Sequence, residues 1–221
     1  LKWYVELFQD HDIRSAFYYT ISIAVVSAIV STILGTIAAI GINSMKGKTK
    51  AVILNVNYLP VVNPDIVTGI SLMILFISFN MDFGFNTMLL SHIVFNTPYV
   101  ILSILPKLKQ LDVHMTEAAM DLGATPMYAL RKVIIPEIKP GIVTGFLMAF
   151  TLSIDDFIIS YFTKGEGVTN LSIVIYSMAR RGVRPTINAL STIMLSVVLL
   201  LMLLINRRTN GVEKKKLKRE V

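Results

Sequence analysis

The chain has 221 residues, 54% hydrophobic and only 16% charged, with a mean hydropathy of +0.66. Freely soluble domains lie nearer about 45–50% apolar and about 25% charged, so that class is excluded. Cysteine is absent, which rules out disulfides, thiolate zinc sites and a cysteine nucleophile. The net charge of +7 does not point to nucleic acid, because basic residues of a membrane chain collect at its cytoplasmic ends. The histidines, His11, His92 and His114, are scattered, and no metal site is expected from them.

Uncharged runs set the architecture. Phe17 to Ile42 is 26 residues without a charge, and Ile187 to Asn206 carries none either. Spans of about 20 apolar residues cross a bilayer as helices. The fold class is an all-α polytopic membrane protein with five spans, at roughly 16–43, 51–79, 86–106, 140–163 and 186–206. Residues 1–15 precede the first span and 207–221 form a basic tail. If the connections at 44–50 and 107–139 and that tail are cytoplasmic, they hold fifteen of the 21 Lys and Arg residues, as the positive-inside rule asks. The remaining six are outside, with Arg180, Arg181 and Arg184 as the exception to the rule. This orientation places Leu1 outside, so a sixth helix is expected upstream and both natural termini in the cytoplasm.

Trp3 and Tyr4 stand before the first span. They suit an interfacial aromatic anchor or a cation–π contact for an ammonium entering a pore. After the first span, Gly41 to Thr49 (GINSMKGKT) is a near miss to a P-loop. Five residues separate Gly41 from Gly47 where the motif has four, and the segment follows a membrane helix instead of a strand. It reads as a basic turn, so no ATP or magnesium site is expected in this chain.

The second span contains Pro60 and Pro64. Each removes a backbone donor and crowds the preceding turn. A break is expected near 60–63, with Asn63 as cap and the helix restarting at Pro64. Broken backbone at membrane depth is tolerated where it faces protein or water. Asp65 follows immediately, about 21 Å of helix rise from the inner end of its span.

Between the third and fourth spans lies a mixed, charged segment. Asp112 or Thr116 is positioned to cap a short helix through Glu117, Ala118, Ala119, Met120 and Asp121, which Gly123 and Ala124 interrupt. Pro126 opens a second short helix, Met127 to Val133, and Pro136 is expected to close it. A helix–glycine–helix of this kind, on the basic side, is a docking element for another surface.

The fourth span contains Asp155 and Asp156, Asp155 lying about 21 Å of helix rise from Gly141. Ionisable groups at membrane depth are costly and usually functional. On a continuous helix two neighbours point about 100° apart, so one is expected to face a path and the other to be hydrogen-bonded within the protein. Asp65 has a second possible role, as a carboxylate at a helix N-terminus. Tyr161 and Tyr176 are further candidates for cation contacts. Residues 164–185 form an outer loop with an amphipathic stretch, Ser172 to Arg181.

The run Glu117-Ala118-Ala119, Gly123 and Val133-Ile134-Ile135-Pro136 resembles the EAA loop of ABC importer permeases, although that family usually has Ile and Leu at 133 and 135. NPDIVTGISLMILF, SIDDFIISYF and IYSMARRGVRPTINALSTIML resemble the second permease subunit of spermidine/putrescine importers, over nearly the whole chain. The resemblance implies a type I ABC importer permease fold in a bacterial cytoplasmic membrane. It implies a heterodimer with a second permease subunit, two cytoplasmic ATPase subunits that bind ATP and magnesium, an external substrate-binding protein and a polyamine substrate. Glu117, Ala118, Ala119, Met120, Asp121, Gly123 and Ala124 would couple to the ATPase. Asp65, Asp155, Asp156, Trp3 and Tyr161 would line the substrate pathway, and the chain itself would catalyse nothing. The rivals are a permease for another solute, such as an anion or an iron chelate, a channel-like subunit without ATP coupling, and an intramembrane aspartyl protease using two carboxylates.

Overall fold

The structure is a computed structural model that describes residues 9–112, 114–181, 188–193, 195, 196 and 199. Trp3, Tyr4, Arg184, the basic tail and most of the span expected at 186–206 lie outside the described residues. All the regular structure among them is helical, with no strand. In chain order they form α1 (His11–Ser44), α2 (Gly47–Val62), α3 (Asp65–Ser78), α4 (Phe85–Lys109), α5 (Met115–Asp121), α6 (Pro126–Ala129), a π-helical turn (Leu130–Ile134), α7 (Ile135–Asp155), α8 (Ile158–Thr163) and α9 (Leu171–Arg181).

Two compact units emerge: residues 17–173, and the two ends of the chain, 1–16 with 174–221. In the second of these, Arg180 lies over the Tyr176 ring, 5.9 Å from its centroid, and Ile13, Ala16, Ala189 and Leu190 are buried. All the interior described below belongs to the first unit.

Among the described residues three helices are long and apolar enough to cross a membrane, His11–Ser44, Phe85–Lys109 and Pro126–Asp155, or four if α2 and α3 together form one. The first begins earlier than hydropathy indicates because Asp10 caps it: its Oδ1 accepts from the backbone N–H groups of Asp12 and Ile13, at 2.9 and 3.3 Å. Hydroxyls along the spans bond back to their own helices, as with Thr32 to Ala28 O, Thr97 to Ile93 O and Thr144 to Pro140 O, so these donors are satisfied without water.

The core is a three-helix contact. Ala28, Ala39 and Ile42 of α1, Val100, Ile101, Ile104, Leu105 and Leu108 of α4, and Ile138 and Ala149 of α7 form one buried cluster. Against lipid there is no hydrophobic gain in such contacts, and close packing replaces it. Gly141 and Gly145 on α7 make that approach possible. A Cβ added at Gly145 would stand 3.0 Å from Val100 Cγ1, and one at Gly141 would stand 3.1 Å from the Ser103 carbonyl oxygen.

The expected break in the second span is present, and it is sharp: α2 and α3 meet at 105°. It sits one residue from its expected place. Pro64 occupies the cap position, Asp65 opens α3, and Asn63 makes no side-chain cap, acting instead as the extended residue that ends α2. The distance counted to Asp65 assumed a straight span, whereas the chain turns a corner just before it and the 14 residues of α3, about 21 Å of rise, continue beyond.

Two further expectations are corrected. Pro136 does not end a short helix. Pro126 to Asp155 runs as one helix through the π-helical turn, where Ile135 N–H donates to Leu130 O. The wide turn absorbs a proline that lacks an N–H and would crowd a regular turn. The span expected at 140–163 is not continuous either: α7 stops at Asp155 and α8 restarts at Ile158.

Candidate functional site

Both interrupted spans meet at their interruptions. α3 packs on α8 through Gly69, where an added Cβ would be 3.0 Å from Phe162 Cδ2 and 3.6 Å from Ile158 O. Leu72 and Phe76 of α3, Phe95 of α4 and Ile159 of α8 close the buried side of this contact. One turn before Gly69 stands Asp65, exposed and within electrostatic reach of Asp156 and Tyr99.

The adjacent aspartates have opposite surroundings. Asp155 is the last residue of α7 and is exposed, and its carboxylate makes no hydrogen bond or ion pair with the described residues. The side chain of Asp156 is only 6% exposed. Its Oδ1 accepts from Ile159 N–H at 3.1 Å and its Oδ2 from Ser160 N–H at 2.7 Å, so it caps α8. Its backbone is extended, with φ −63° and ψ 125°, and its carbonyl accepts from Asn170 Nδ2 at 2.8 Å. The two side chains therefore diverge because the helix ends between them, not because of a 100° helical step.

Behind the break lies a buried polar centre that the sequence reading passed over. The His92 ring, 1% exposed, holds Ser153 Oγ of α7 at 2.6 Å from Nδ1 and Ser160 Oγ of α8 at 2.9 Å from Nε2. Asp156 Oδ2 is 3.6 Å from the same Nε2. Ser27 of α1 joins Ser153 at 3.1 Å, and Asn96 Nδ2 reaches Ser27 Oγ at 3.4 Å. Asn170 Nδ2 donates to Ser160 Oγ at 2.8 Å, while its Oδ1 accepts from Ile173 N–H and starts α9. The available signal was the pair His92 and Asn96, four apart on the face of an apolar span that α4 turns inward. A search for metal ligands discards that pair; a search for buried polar groups would have kept it.

Tyr161 is half exposed on α8, tilted against Phe157 and edge-to-face with Phe162, with ring centroids 5.6 Å away in each case. Lys164 Nζ already lies 6.0 Å from its ring centroid, so an alkylammonium can reach that face. Trp3 is outside the described residues.

Glu117, Ala118, Ala119, Met120, Asp121, Gly123 and Ala124 all fall on one exposed elbow. Asp112 Oδ1 accepts from His114 N–H at 2.9 Å, so Asp112, not Thr116, organises the entry to α5. The exit is a Schellman turn: Ala124 N–H donates to Ala119 O, Gly123 N–H to Met120 O, and Gly123 takes φ +87°. Thr125 Oγ1 then accepts from Tyr128 N–H at 3.3 Å, with Pro126 in the first turn of α6. Leu122 at the tip is 91% exposed, and Met120, Met127 and Tyr128 are exposed around it. Apolar groups held in water on a rigid turn mark a contact surface. At the foot of the elbow His114 Nδ1 is 3.0 Å from Glu117 Oε2, and that hydrogen bond, with the charges of Glu117 and Asp112, raises the imidazole above its ordinary value.

Comparison with known proteins agrees with this architecture. The spermidine/putrescine transport system permease protein PotC of Escherichia coli (strain K12) is 37% identical over 202 residues, covering 91% of this chain and 76% of that protein. The putrescine transport system permease protein PotI of the same strain is 40% identical over 206 residues, covering 89% and 73%. Among solved structures, the inward-facing MetNI methionine ABC transporter matches with TM-score 0.73 at 19% identity, over 90% of this chain and 95% of that one. A bacterial ABC transporter for the acidic polysaccharide alginate matches with TM-score 0.76 at 17% identity, over 94% and 82%. These two carry the fold alone. Residues 31–217 match the family described as binding-protein-dependent transport system inner membrane component, and the chain belongs to that family.

Proposed function

We propose that this chain is a permease subunit of an ATP-driven importer of polyamines, forming half of the pathway in a bacterial cytoplasmic membrane. One observation carries the reading: two broken spans are packed together with Asp65 and Asp155 exposed at their breaks. Likeness to the spermidine/putrescine and putrescine permeases gives the solute class. Five spans in this chain and cytoplasmic ends for the basic connections complete the topology.

The proposed mechanism follows from the groups present. A polyamine is an alkyl chain with spaced ammoniums, and carboxylates in a wet path offset their charge without dehydrating them fully. Asp65 and Asp155 supply that counter-charge, the Tyr161 face offers a cation–π contact, and Asp156 holds the break. Weak, repeated contacts let the solute leave. ATP is bound and hydrolysed by two partner ATPases. Their closure is passed through the elbow, Glu117 to Ala124, to the long helix beginning at Pro126, while a second permease subunit and an external binding protein complete the machine.

The test is uptake of radiolabelled spermidine by the assembled importer in vesicles. Asp65→Asn and Asp155→Asn each raise KM with ATPase docking intact. Unchanged uptake in both points instead to another solute. Crosslinkers placed at Ala118 or Ala119 capture an ATPase subunit, and their failure to do so ends the coupling reading.

A further inference from the structure

We propose that His92 is a positioning residue: it sets the break between α7 and α8 and so aims the Asp155 carboxylate into the pathway. The inference rests on the pathway reading above. The interruption consists of Asp156 and Phe157, and one imidazole ties its two sides together, holding Ser153 of α7 by Nδ1 and Ser160 of α8 by Nε2.

Hydrogen-bond bookkeeping gives the ring a direction. A neutral imidazole has one donor and one acceptor. Nε2 is the nitrogen on the side of the Asp156 carboxylate, so the proton belongs there, and Nδ1 accepts from the Ser153 hydroxyl. Ser153 is also bonded to Ser27 Oγ, which accepts from Asn96 Nδ2 and lies 3.4 Å from Ala24 O. On the far side Asn170 Nδ2 donates to both Ser160 Oγ and Asp156 O. The network links α4 and α1 to the break. In a buried setting a missing member leaves its neighbours unpaired.

The frame is rigid where it needs to be. His92 and Asn96 stand on α4, against which α7 is pressed at Gly141 and Gly145. Asp155, with no side-chain partner among the described residues, lies between two residues that are held, Ser153 and Asp156. Its direction is inherited from them. His92 is the side chain that bonds Ser153 of α7 and Ser160 of α8 at once across the gap, beside the Asp156 cap and the Asn170 bridge.

The experiment measures the spermidine dependence of uptake by the full importer in proteoliposomes, with co-purified ATPase as the measure of assembly. His92→Leu keeps the bulk and removes both bonds, and KM rises about tenfold at unchanged assembly. His92→Gln can accept from Ser153 and donate to Ser160, and it returns KM to within about threefold of the parent. In an Asp155→Asn background His92→Leu adds little, since both act through one carboxylate. An unchanged KM in His92→Leu, a glutamine variant no better than leucine, or independent multiplying effects in the double variant overturns the proposal. If Asp155→Asn itself leaves KM unchanged, the pathway reading falls and this inference with it. If Asp155→Asn raises KM and His92→Leu does not, only this inference falls. Should His92→Leu fail to assemble, Ser160→Ala, which removes a single hydroxyl, decides: a raised KM supports the proposal and an unchanged one overturns it.

Discussion

Two of the histidine–carboxylate pairs among the described residues have opposite physics. His92 and Asp156 are 1% and 6% exposed, stand 3.6 Å apart, and share a third party in Ser160. His114 and Glu117 are 78% and 67% exposed and 3.0 Å apart, with direct contact on one turn of helix. The shorter pair is the weaker one. In water the attraction is screened and the two side chains lose freedom to meet. In the interior, each polar atom left without its partner keeps its full desolvation cost, so the longer pair is embedded in bonds that cannot be removed singly. Proximity by itself therefore says little about which pair holds structure. The interior pair fixes a helix break; the surface pair trims the entry to an exposed elbow.

The comparison is tested hardest at Asp156. Asp156→Ala leaves the Ile159 and Ser160 N–H groups without their acceptor in a buried site, and is expected to cost about 2–4 kcal/mol. Thermal unfolding of the purified importer measures this, and a change of only a few tenths would equate the two pairs. Next is Gly123→Ala at the elbow. Its φ of +87° is strained for any residue with a Cβ, at about 1–2 kcal/mol, with nothing near enough to clash. Faster amide exchange confined to residues 115–122 is the expected sign, since the turn seals that helix alone.

The smallest effect belongs to His114. Its pKa is raised by the Glu117 hydrogen bond first and then by the charges of Glu117 and Asp112. A raised folded-state value means the pairing is complete below the ordinary 6.5 and is lost as pH rises through the elevated midpoint. An NMR titration should place the midpoint above 6.5, and Glu117→Gln should return it toward 6.5. A midpoint that ignores Glu117 would sink this.

Local chemistry made much of the elbow legible. Gly123 needs only a positive φ after a short helix, and Pro126 needs only a helix start, so neither depends on distant residues. Pro136 misled because a proline is read as a stop unless a π-helical turn makes room for it, and that turn has no pattern of its own. Pro60 and Pro64 announced their break, whereas the second break, at Asp156 and Phe157, has no proline or glycine to mark it. It is held by His92, Ser160 and Asn170, which lie 64, 4 and 14 residues from Asp156 along the chain. Asp65 was found as a charge in an apolar run, but the straight span on which it was counted is bent by 105°, and such a corner cannot be counted in residues.

Composition and periodicity decided by themselves that this chain lives in a bilayer as helices, because about 20 uncharged residues in a row have no stable alternative. They also located the basic connections and the elbow that interrupts the apolar spans. Only the tertiary structure decided which of two neighbouring aspartates is free. That choice depends on where a helix stops, and this helix stops where a buried ring of α4 bonds Ser153 and Ser160, which Ser27 of α1 and Asn170 before α9 bond in turn.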